Sequence, residues 1–152
     1  MKLHFHTMGG GSPLIVLHGL LGSLDNWQPL GRRFAAHFEV FAVDLRNHGQ
    51  SPHHEDVSYE VMAADLDEFM RTHGLPRANL LGHSMGGKVA MQFALQHPTE
   101  VERLVVVDVS PRAYPSRHQP TFVALLALDL HAFQRREQLD AELGKSVDDT
   151  GL

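Results

Sequence analysis

The chain has 152 residues, about the length of one domain, and carries a net charge of −5 without any block of basic residues. An apolar fraction of 43% and a charged fraction of 20% are typical of a folded globular protein and exclude a disordered tail. The charge favours neither nucleic acid nor an anionic membrane as a partner. Because there is no cysteine, disulfides, thiolate nucleophiles and cysteine-ligated zinc are excluded.

The hydropathy pattern indicates where in the cell the protein is expected. Residues 1–6 lack the apolar core of a signal peptide. No apolar run approaches the roughly 18 residues of a membrane-spanning helix. We therefore expect a soluble, cytoplasmic protein.

Short apolar runs alternate with helical patterns, which predicts an α/β fold with a mostly parallel sheet and helices on both faces. The predicted strands are, in chain order, Lys2–His6 at an edge, Leu14–Leu17, Val40–Val43, Asn79–Leu81 and Val101–Val109. The predicted helices are Asp25–His37, Glu60–His73 between the caps Ser58 and Gly74, Met85–Gln96, Thr121–Leu130 and Gln134–Leu143. Gly9–Pro13 predicts a turn, and Asp44–Asp56 predicts a polar loop.

The strongest chemical signal is Gly82-His83-Ser84-Met85-Gly86-Gly87, between a predicted strand and a predicted helix. It fits G-x-S-x-G, the nucleophile elbow, in which a strained turn lifts the serine hydroxyl clear of the sheet. Glycines at both flanking positions remove side chains that would collide across the turn. The helix that begins at Met85 directs its free N–H groups to the same point. The alternative is a glycine-rich turn with an incidental serine.

A second glycine-rich segment, His18-Gly19-Leu20-Leu21-Gly22, follows the Leu14–Leu17 strand. Such a loop can direct backbone N–H groups toward the elbow. The N–H groups of Leu20 and Met85 would then form an oxyanion hole, which stabilises negative charge on a carbonyl oxygen. By itself, the loop predicts only a turn.

Two further segments are Asp44-Leu45-Arg46-Asn47-His48-Gly49-Gln50-Ser51 and Val107-Asp108-Val109-Ser110-Pro111. With the elbow and the His18 loop, they resemble the α/β-hydrolase superfamily, and more narrowly its small serine esterases of the YbfF and ABHD11-like group. The resemblance extends from Pro13 to about Leu143. It implies an α/β-hydrolase fold with Ser84 as nucleophile, Leu20 and Met85 as oxyanion donors, and neither a metal nor an organic cofactor.

The serine at the elbow also bears on the reaction. Dehalogenases and epoxide hydrolases of this fold have an aspartate at that position. Ser84 therefore implies acyl transfer to water, in which a small-molecule ester or thioester forms an acyl-enzyme that water hydrolyses.

Asp108 is the candidate acid of a catalytic triad. The resemblance implies that the Ser84 strand lies between the strands ending at His18 and Val109. Asp108 would then be one strand spacing away, about 4.8 Å, and could orient a histidine that reaches Ser84. Two alternatives remain: the acid follows the next strand, as in most of the superfamily, or Asp108 is an aspartate that only binds loop backbone at a strand end. Asp44 is disfavoured, because its strand should lie on the far side of the strand ending at His18.

The histidine of the triad is missing from its expected place. In this fold the order is serine, acid, histidine, and the histidine follows the last strand. After Asp108 the histidines are His118, in a proline-rich loop, and His131, at the end of a helix. We therefore expect a hydrolase core over 1–110 and the start of a helical lid over 111–152, cut short before the final strands and poorly active. Val101–Val109 would then be an exposed apolar edge open to self-association.

Two other classes of function are compatible with parts of the sequence. Gly82 to Lys88 satisfies most of a nucleotide-binding P-loop, but Val89 cannot supply the hydroxyl that binds Mg²⁺. A non-catalytic binding module on a hydrolase scaffold is a further alternative. The aromatic residues with helical spacing are predicted core residues rather than a ligand cage: Trp27, Phe34, Phe38, Phe69 and Phe93.

The chain has 12 histidines, which raises the possibility of a metal site. The pairs His4/His6 and His53/His54 lie in different predicted elements, and no H-E-x-x-H helix is present. We expect scattered surface histidines instead. His18 and His83 are predicted to be packing residues.

Overall fold

The computed structural model describes residues 1–113 and 119–145. The chain divides into two compact units, Met1–Pro111 and Arg112–Leu152. The first unit contains the sheet and every residue predicted to act in the site. His118 and the segment 146–152 lie outside the described residues.

The sheet has five strands in the order β1-β3-β2-β4-β5. Their bounds are β1 Phe5–Gly9, β2 Ser12–Leu17, β3 Phe38–Val43, β4 Ala78–His83 and β5 Val101–Val107. β1 is antiparallel to β3, and the remaining pairs are parallel. The predicted mostly parallel sheet is confirmed, with β4 between β2 and β5 and β3 on the far side of β2.

The helices are α1 Gln28–Phe34, α2 Tyr59–Thr72, α3 Met85–Gln96, α4 Gln119–Leu126 and α5 Arg136–Leu143, with 3₁₀ turns at Leu24–Trp27 and Leu130–Ala132. α3 has the predicted bounds, and α2 has the predicted caps. The Ser58 hydroxyl accepts a hydrogen bond from the Val61 amide, and Gly74 has a φ of 65° just beyond the helix. No helix within residues 1–113 and 119–145 combines the length and apolar character needed to cross a membrane.

Helices cover both faces of the sheet. On one face, Ile15 and Leu17 of β2 pack in a large core cluster with residues of α2 and α3. On the other, Leu14 and Val16 belong to a smaller core cluster, against which Trp27 and Phe34 of α1 pack. Because β2 is covered on both sides, its apolar run shows no alternation in sequence.

The prediction of one helix over Asp25–His37 is wrong. The Ser23 hydroxyl caps a 3₁₀ turn by accepting from the Asp25 amide, and α1 begins only at Gln28. Pro29 is the second residue of α1, and a proline is tolerated at a helix start but not in its interior.

Other predicted boundaries also shift. The predicted strand Val101–Val109 ends at Val107, because Asp108 adopts a φ of 55°, which extended strands do not permit. The predicted turn Gly9–Pro13 is shorter, because its first residue belongs to β1 and its last two to β2.

Candidate active site

Ser84 lies at the sharp turn between β4 and α3. Its backbone has φ 49° and ψ −114°, a sparsely populated conformation that costs about 1–3 kcal/mol. The Ser84 amide donates to the Val107 carbonyl of β5 (3.0 Å), and the Ser84 carbonyl accepts from the Lys88 amide (3.1 Å). Hydrogen bonds on both sides therefore hold the strained residue in place.

The glycines of the elbow allow its backbone segments to touch. A Cβ on Gly82 would lie 2.3 Å from the Gly86 carbonyl oxygen, and a Cβ on Gly86 would lie 2.5 Å from the Leu17 carbonyl oxygen. These contacts confirm the expected reason for glycine at both positions, since rigid backbone cannot yield to an added methyl group.

We expect Gly82→Ala to lower the free energy of unfolding by about 1–3 kcal/mol, because the new methyl group meets backbone atoms. Gly10→Ala is the matched control, since a Cβ there meets nothing within 4 Å. It should change stability by less than about 0.5 kcal/mol. Urea denaturation of both variants measures the difference, and equal stabilities would contradict the steric argument.

The loop after β2 lies against the elbow. A Cβ on Gly19 would be 2.9 Å from the His83 Nδ1 atom and 3.4 Å from the Ser84 Cβ atom. The Gly86 amide donates to the His18 carbonyl at 3.1 Å, which ties the start of α3 to this loop. The tertiary structure thus brings the two glycine-rich segments together.

Two amides, one in the loop after β2 and one directly after Ser84, are open to an external acceptor. In the described part of the chain, neither the Leu20 amide nor the Met85 amide donates a hydrogen bond. Met85 is the first residue of α3, where amides have no partner within the helix. These are the two amides predicted to be oxyanion donors.

A buried aspartate supports the segment after β2 through a hydrogen bond that its side chain accepts. Asp44 Oδ1 accepts from the Leu24 amide (2.7 Å), and Oδ2 accepts from the Gln50 amide (2.9 Å). The Asp44 carboxylate is therefore occupied by loop backbone, on the side of β2 away from β4. This arrangement agrees with the expectation that Asp44 is not the acid of a triad.

His48 makes a second hydrogen bond to the loop after β2, which the sequence did not predict. Its Nε2 atom accepts from the Leu21 amide at 3.3 Å, while Nδ1 lies 2.9 Å from the Arg46 carbonyl oxygen, to which it donates. Leu21 itself has a φ of 60°. In sequence, Asp44–Ser51 served only as a family signature, and no local pattern indicates this contact across 27 residues.

His18 is a packing residue, as predicted. Its side chain is buried, with Nδ1 donating to the Gly19 carbonyl (2.8 Å) and Nε2 accepting from the Leu45 amide (3.0 Å). Burial lowers the pKa of the His18 imidazole below its ordinary value of 6.5. The ring is thus held neutral and connects the β2 and β3 loops.

Acidification should destabilise the protein partly through His18. Unfolding exposes the imidazole, which in the unfolded chain binds a proton below about pH 6.5. The contribution of the neutral, buried ring to the free energy of unfolding is therefore complete above that pH and decreases as the pH is lowered through it. Uptake of this one proton lowers the free energy of unfolding by at most about 1.4 kcal/mol per pH unit. His18→Gln should be less stable near neutral pH but lose less stability on acidification, whereas the exposed His53→Gln should follow the parent chain. Urea unfolding across pH measures this, and parallel curves for all three proteins would refute it.

The prediction that His83 is packed away is wrong. Its side chain is 41% exposed, and Nε2 lies 3.8 Å from Asp108 Oδ2, while Asp108 is 86% exposed. The ring borders Gly19, which has no side chain to cover it. Asp108 therefore lies beside His83, and among the described residues no histidine nitrogen hydrogen-bonds to the Ser84 hydroxyl.

The remaining histidine candidates lie elsewhere. His131 is exposed in the 3₁₀ turn of the second unit, where its amide donates to Asp129, rather than at the end of an α-helix.

Within the described ranges, one group of side chains brings atoms that could bind a metal ion within 4.8 Å of one another. Its members are Asp67, His97 and Glu100. These side chains already have partners, since Asp67 pairs with Arg71 and His97 with Glu100. Sequence reasoning missed this group because its members come from separate elements.

Val89 bears on the nucleotide-binding alternative. It is fully buried in the larger core cluster. The position that would bind Mg²⁺ in a P-loop therefore holds an apolar core side chain, which argues against that alternative.

Comparisons with known proteins find relatives named as esterases and as a lipase. The sn-1-specific diacylglycerol lipase ABHD11 of Mus musculus is 40% identical over 100% of this chain and 53% of its own length. Esterase YbfF of Escherichia coli is 34% identical over 93% of this chain and 56% of its own. A solved structure, a marine microorganism esterase, matches with a TM-score of 0.90 and 40% identity, covering 97% of this chain and 59% of that one.

The chain spans about half the length of the curated relatives that it matches. Residues 12–146 match the family described as alpha/beta hydrolase fold. With the elbow, the parallel sheet and these relatives in agreement, the chain belongs to the alpha/beta hydrolase family.

Proposed function

We propose that this chain carries the nucleophile and the oxyanion-binding half of a carboxylic ester hydrolase. The observation that carries the proposal is the strained Ser84, which adjoins the Gly19 loop and two amides without an acceptor. Relatives named as esterases and as a lipase support ester hydrolysis. The substrate is a small-molecule carboxylic ester or thioester.

The reaction follows from the placement of these groups. The Ser84 oxygen attacks the carbonyl carbon while a base removes the hydroxyl proton, and the Leu20 and Met85 amides donate to the resulting oxyanion. Collapse of the tetrahedral intermediate breaks the bond to the alcohol or thiol, which leaves with that proton. Water then attacks the acyl-enzyme, releases the carboxylic acid and restores Ser84.

Asp108 is the proposed acid of the triad. It follows β5, directly after the residue whose carbonyl accepts from the Ser84 amide, so it lies at the edge of the sheet where Ser84 emerges. Its exposed carboxylate already stands 3.8 Å from one imidazole nitrogen. A carboxylate in this position would orient a catalytic histidine and stabilise its protonated form.

Covalent labelling tests the role of Ser84. With imidazole in solution as the base, a fluorophosphonate should add once to the folded chain, as the Ser84 oxygen displaces fluoride from phosphorus. Mass spectrometry should map the adduct to Ser84, and Ser84→Ala should stay unlabelled, whereas Ser110→Ala should still be labelled. Adduct formation on another serine, or at an equal rate in Ser84→Ala, would overturn the proposal.

We also propose that the segment 111–152, most of which falls in the second compact unit, begins a helical lid. The support is its separation as a compact unit and its two short helices, α4 and α5, directly after the Asp108 loop.

The β5 edge is a proposed self-association site. β5 is the last strand in the sheet order, and Leu104, Val105 and Val107 are 37%, 48% and 38% exposed. An apolar edge strand with unpaired backbone groups favours pairing with another chain.

Sedimentation velocity should therefore show association that increases with protein concentration. Val105→Lys should shift the protein to the monomer, because a charge on an edge strand opposes pairing. Leu95→Lys, at an 80% exposed position on α3, is the control and should associate like the parent chain. A parent chain that stays monomeric at every concentration would contradict the proposal.

A further inference from the structure

Leu21 has a backbone conformation that leucine rarely adopts. It is the third residue of a four-residue turn, which the Gly22 amide closes by donating to the Gly19 carbonyl at 3.1 Å, and its φ is 60°. A positive φ at this position of a turn ordinarily belongs to glycine or asparagine. The Leu21 side chain is 56% exposed, so packing does little to hold it. Such a conformation persists only where surrounding contacts fix it.

His48 supplies the contact that fixes Leu21. Its Nε2 atom accepts from the Leu21 amide at 3.3 Å, and its Nδ1 atom lies 2.9 Å from the Arg46 carbonyl oxygen. A carbonyl oxygen can only accept, so Nδ1 must carry the proton, and this tautomer leaves the Nε2 lone pair free for the amide. The two contacts therefore require the same tautomer, and through it the ring joins the turn to the loop after β3.

His48 is itself held in place on both sides of its backbone. Its amide donates to the Leu45 carbonyl at 3.1 Å, and its carbonyl accepts from the Ser51 amide at 3.0 Å. The preceding residue, Asn47, has a φ of 64°, and its side chain binds both the amide and the carbonyl of His54. The ring therefore extends toward Leu21 from a well-supported segment.

The turn that His48 holds also contains Leu20, whose amide is a proposed oxyanion donor. Leu20 and Leu21 are its two central residues, and a turn loses the positive φ when the peptide unit between them rotates. The Leu20 side chain is exposed as well, so packing would not hold its amide in place once the turn relaxed. The direction of the Leu20 amide therefore depends on the hydrogen bond that holds Leu21.

We infer that His48 is a positioning residue for ester hydrolysis: by accepting from the Leu21 amide, it keeps the turn in the conformation that presents the Leu20 amide to the oxyanion. This inference rests on the proposed function of Ser84. The role is indirect, since His48 acts through the backbone of Leu21 and not on the substrate.

The test is the rate at which a fluorophosphonate labels Ser84, with imidazole in solution as the base. The Ser84 oxygen bonds to phosphorus, fluoride leaves, imidazole takes the hydroxyl proton, and the phosphoryl oxygen binds where the oxyanion would. Rates over a range of reagent concentrations separate the maximal rate from the concentration that gives half of it. Loss of a positioned donor should lower the maximal rate and leave the half-saturating concentration nearly unchanged.

Three variants separate the hydrogen bond from the bulk of the side chain. His48→Leu has similar bulk but no acceptor, and it should lower the maximal rate roughly three- to tenfold, the value of one neutral hydrogen bond. His48→Gln carries an amide oxygen near the position of Nε2 and should retain most of the rate. His53→Leu, at an exposed histidine of the same loop, should match the parent chain.

A second substitution tests the strain at Leu21 directly. Glycine adopts a positive φ without a steric penalty, so a turn with Leu21→Gly no longer needs the hydrogen bond to His48. In the His48→Leu background, Leu21→Gly should therefore restore most of the maximal rate. A loss of packing elsewhere in the His48 loop would not be repaired by a glycine in this turn. Thermal melts establish that the variants fold.

The parent chain provides a measurement that needs no variant. Nitrogen NMR of the His48 ring should show the tautomer with its proton on Nδ1. Hydrogen exchange should be slower at the Leu21 amide than at the Leu20 amide, for which the described part of the chain offers no acceptor.

The inference would be overturned by a folded His48→Leu variant with the parent rate, by a double variant no faster than His48→Leu, or by a neutral His48 ring with its proton on Nε2. Should His48→Leu fail to fold, the tautomer of the parent ring still decides. Normal labelling of Ser84 with an unchanged rate in His48→Leu overturns the positioning role alone. A parent chain that is not labelled at Ser84 overturns the proposed hydrolase chemistry, and the role of His48 with it.

Discussion

The purified 152-residue chain should hydrolyse short-chain p-nitrophenyl esters about 10⁶-fold more slowly than esterase YbfF, the longer relative of which it covers 56%. The physical reason is that the described residues offer Ser84 no hydrogen-bonded base. No histidine in residues 1–113 and 119–145 hydrogen-bonds to the Ser84 hydroxyl, and a neutral hydroxyl is a weak nucleophile. The strained elbow and the two free amides can still stabilise an oxyanion, so a small residual rate is expected.

Initial rates of both enzymes and of Ser84→Ala test this expectation. Turnover by the parent chain close to that of YbfF, and abolished in Ser84→Ala, would show that a base is present in this chain. His83 would then be the first candidate, because it is half-exposed beside Asp108 and borders the Gly19 loop. Loss of the rate in His83→Gln would identify it.

Asp65→Asn is expected to lower the free energy of unfolding by about 3–5 kcal/mol, because it leaves the buried Arg46 guanidinium without its counter-charge. Arg46 donates to Asp65 through Nε at 2.6 Å and through Nη2 at 2.8 Å, and both side chains are buried. The hydrogen bonds to Asp65 raise the pKa of Arg46 above its already high ordinary value. Arg46 therefore stays charged and cannot avoid the loss by deprotonation.

Asp67→Asn is the control on the same helix. Asp67 pairs with Arg71 at 2.8 Å, but the arginine is largely exposed, and exposed pairs contribute about 0–1 kcal/mol. Urea denaturation should separate the two variants clearly. Equal effects would mean that the Arg46–Asp65 pair contributes no more to the free energy of unfolding than a surface pair does.

The local signals in the sequence were sufficient for much of the fold. Ser58 and Gly74 mark the ends of α2 because capping depends on a few neighbouring residues. The elbow was predictable for the same reason, since its glycines, serine and helix start are consecutive. One local signal was overlooked, namely Pro29, which divides the predicted Asp25–His37 helix.

Contacts between distant segments were not predictable in this way. In sequence, Asp44 was only part of the family resemblance and a disfavoured triad acid, yet it binds the Leu24 and Gln50 amides. His83 looked like a packing residue, yet its ring borders Gly19 of the loop after β2 and is 41% exposed. Each outcome depends on which loop arrives from another strand.

By itself, the sequence determined that Ser84 occupies a nucleophile elbow in a mostly parallel α/β sheet, because that motif and the strand and helix patterns are local properties of the chain. Only the tertiary structure decided what surrounds the serine: the Gly19 loop and the placement of Asp108 beside His83. The reason is strand order, since β2, β4 and β5 are far apart in sequence, and their loops meet only when hydrogen bonding places the strands side by side.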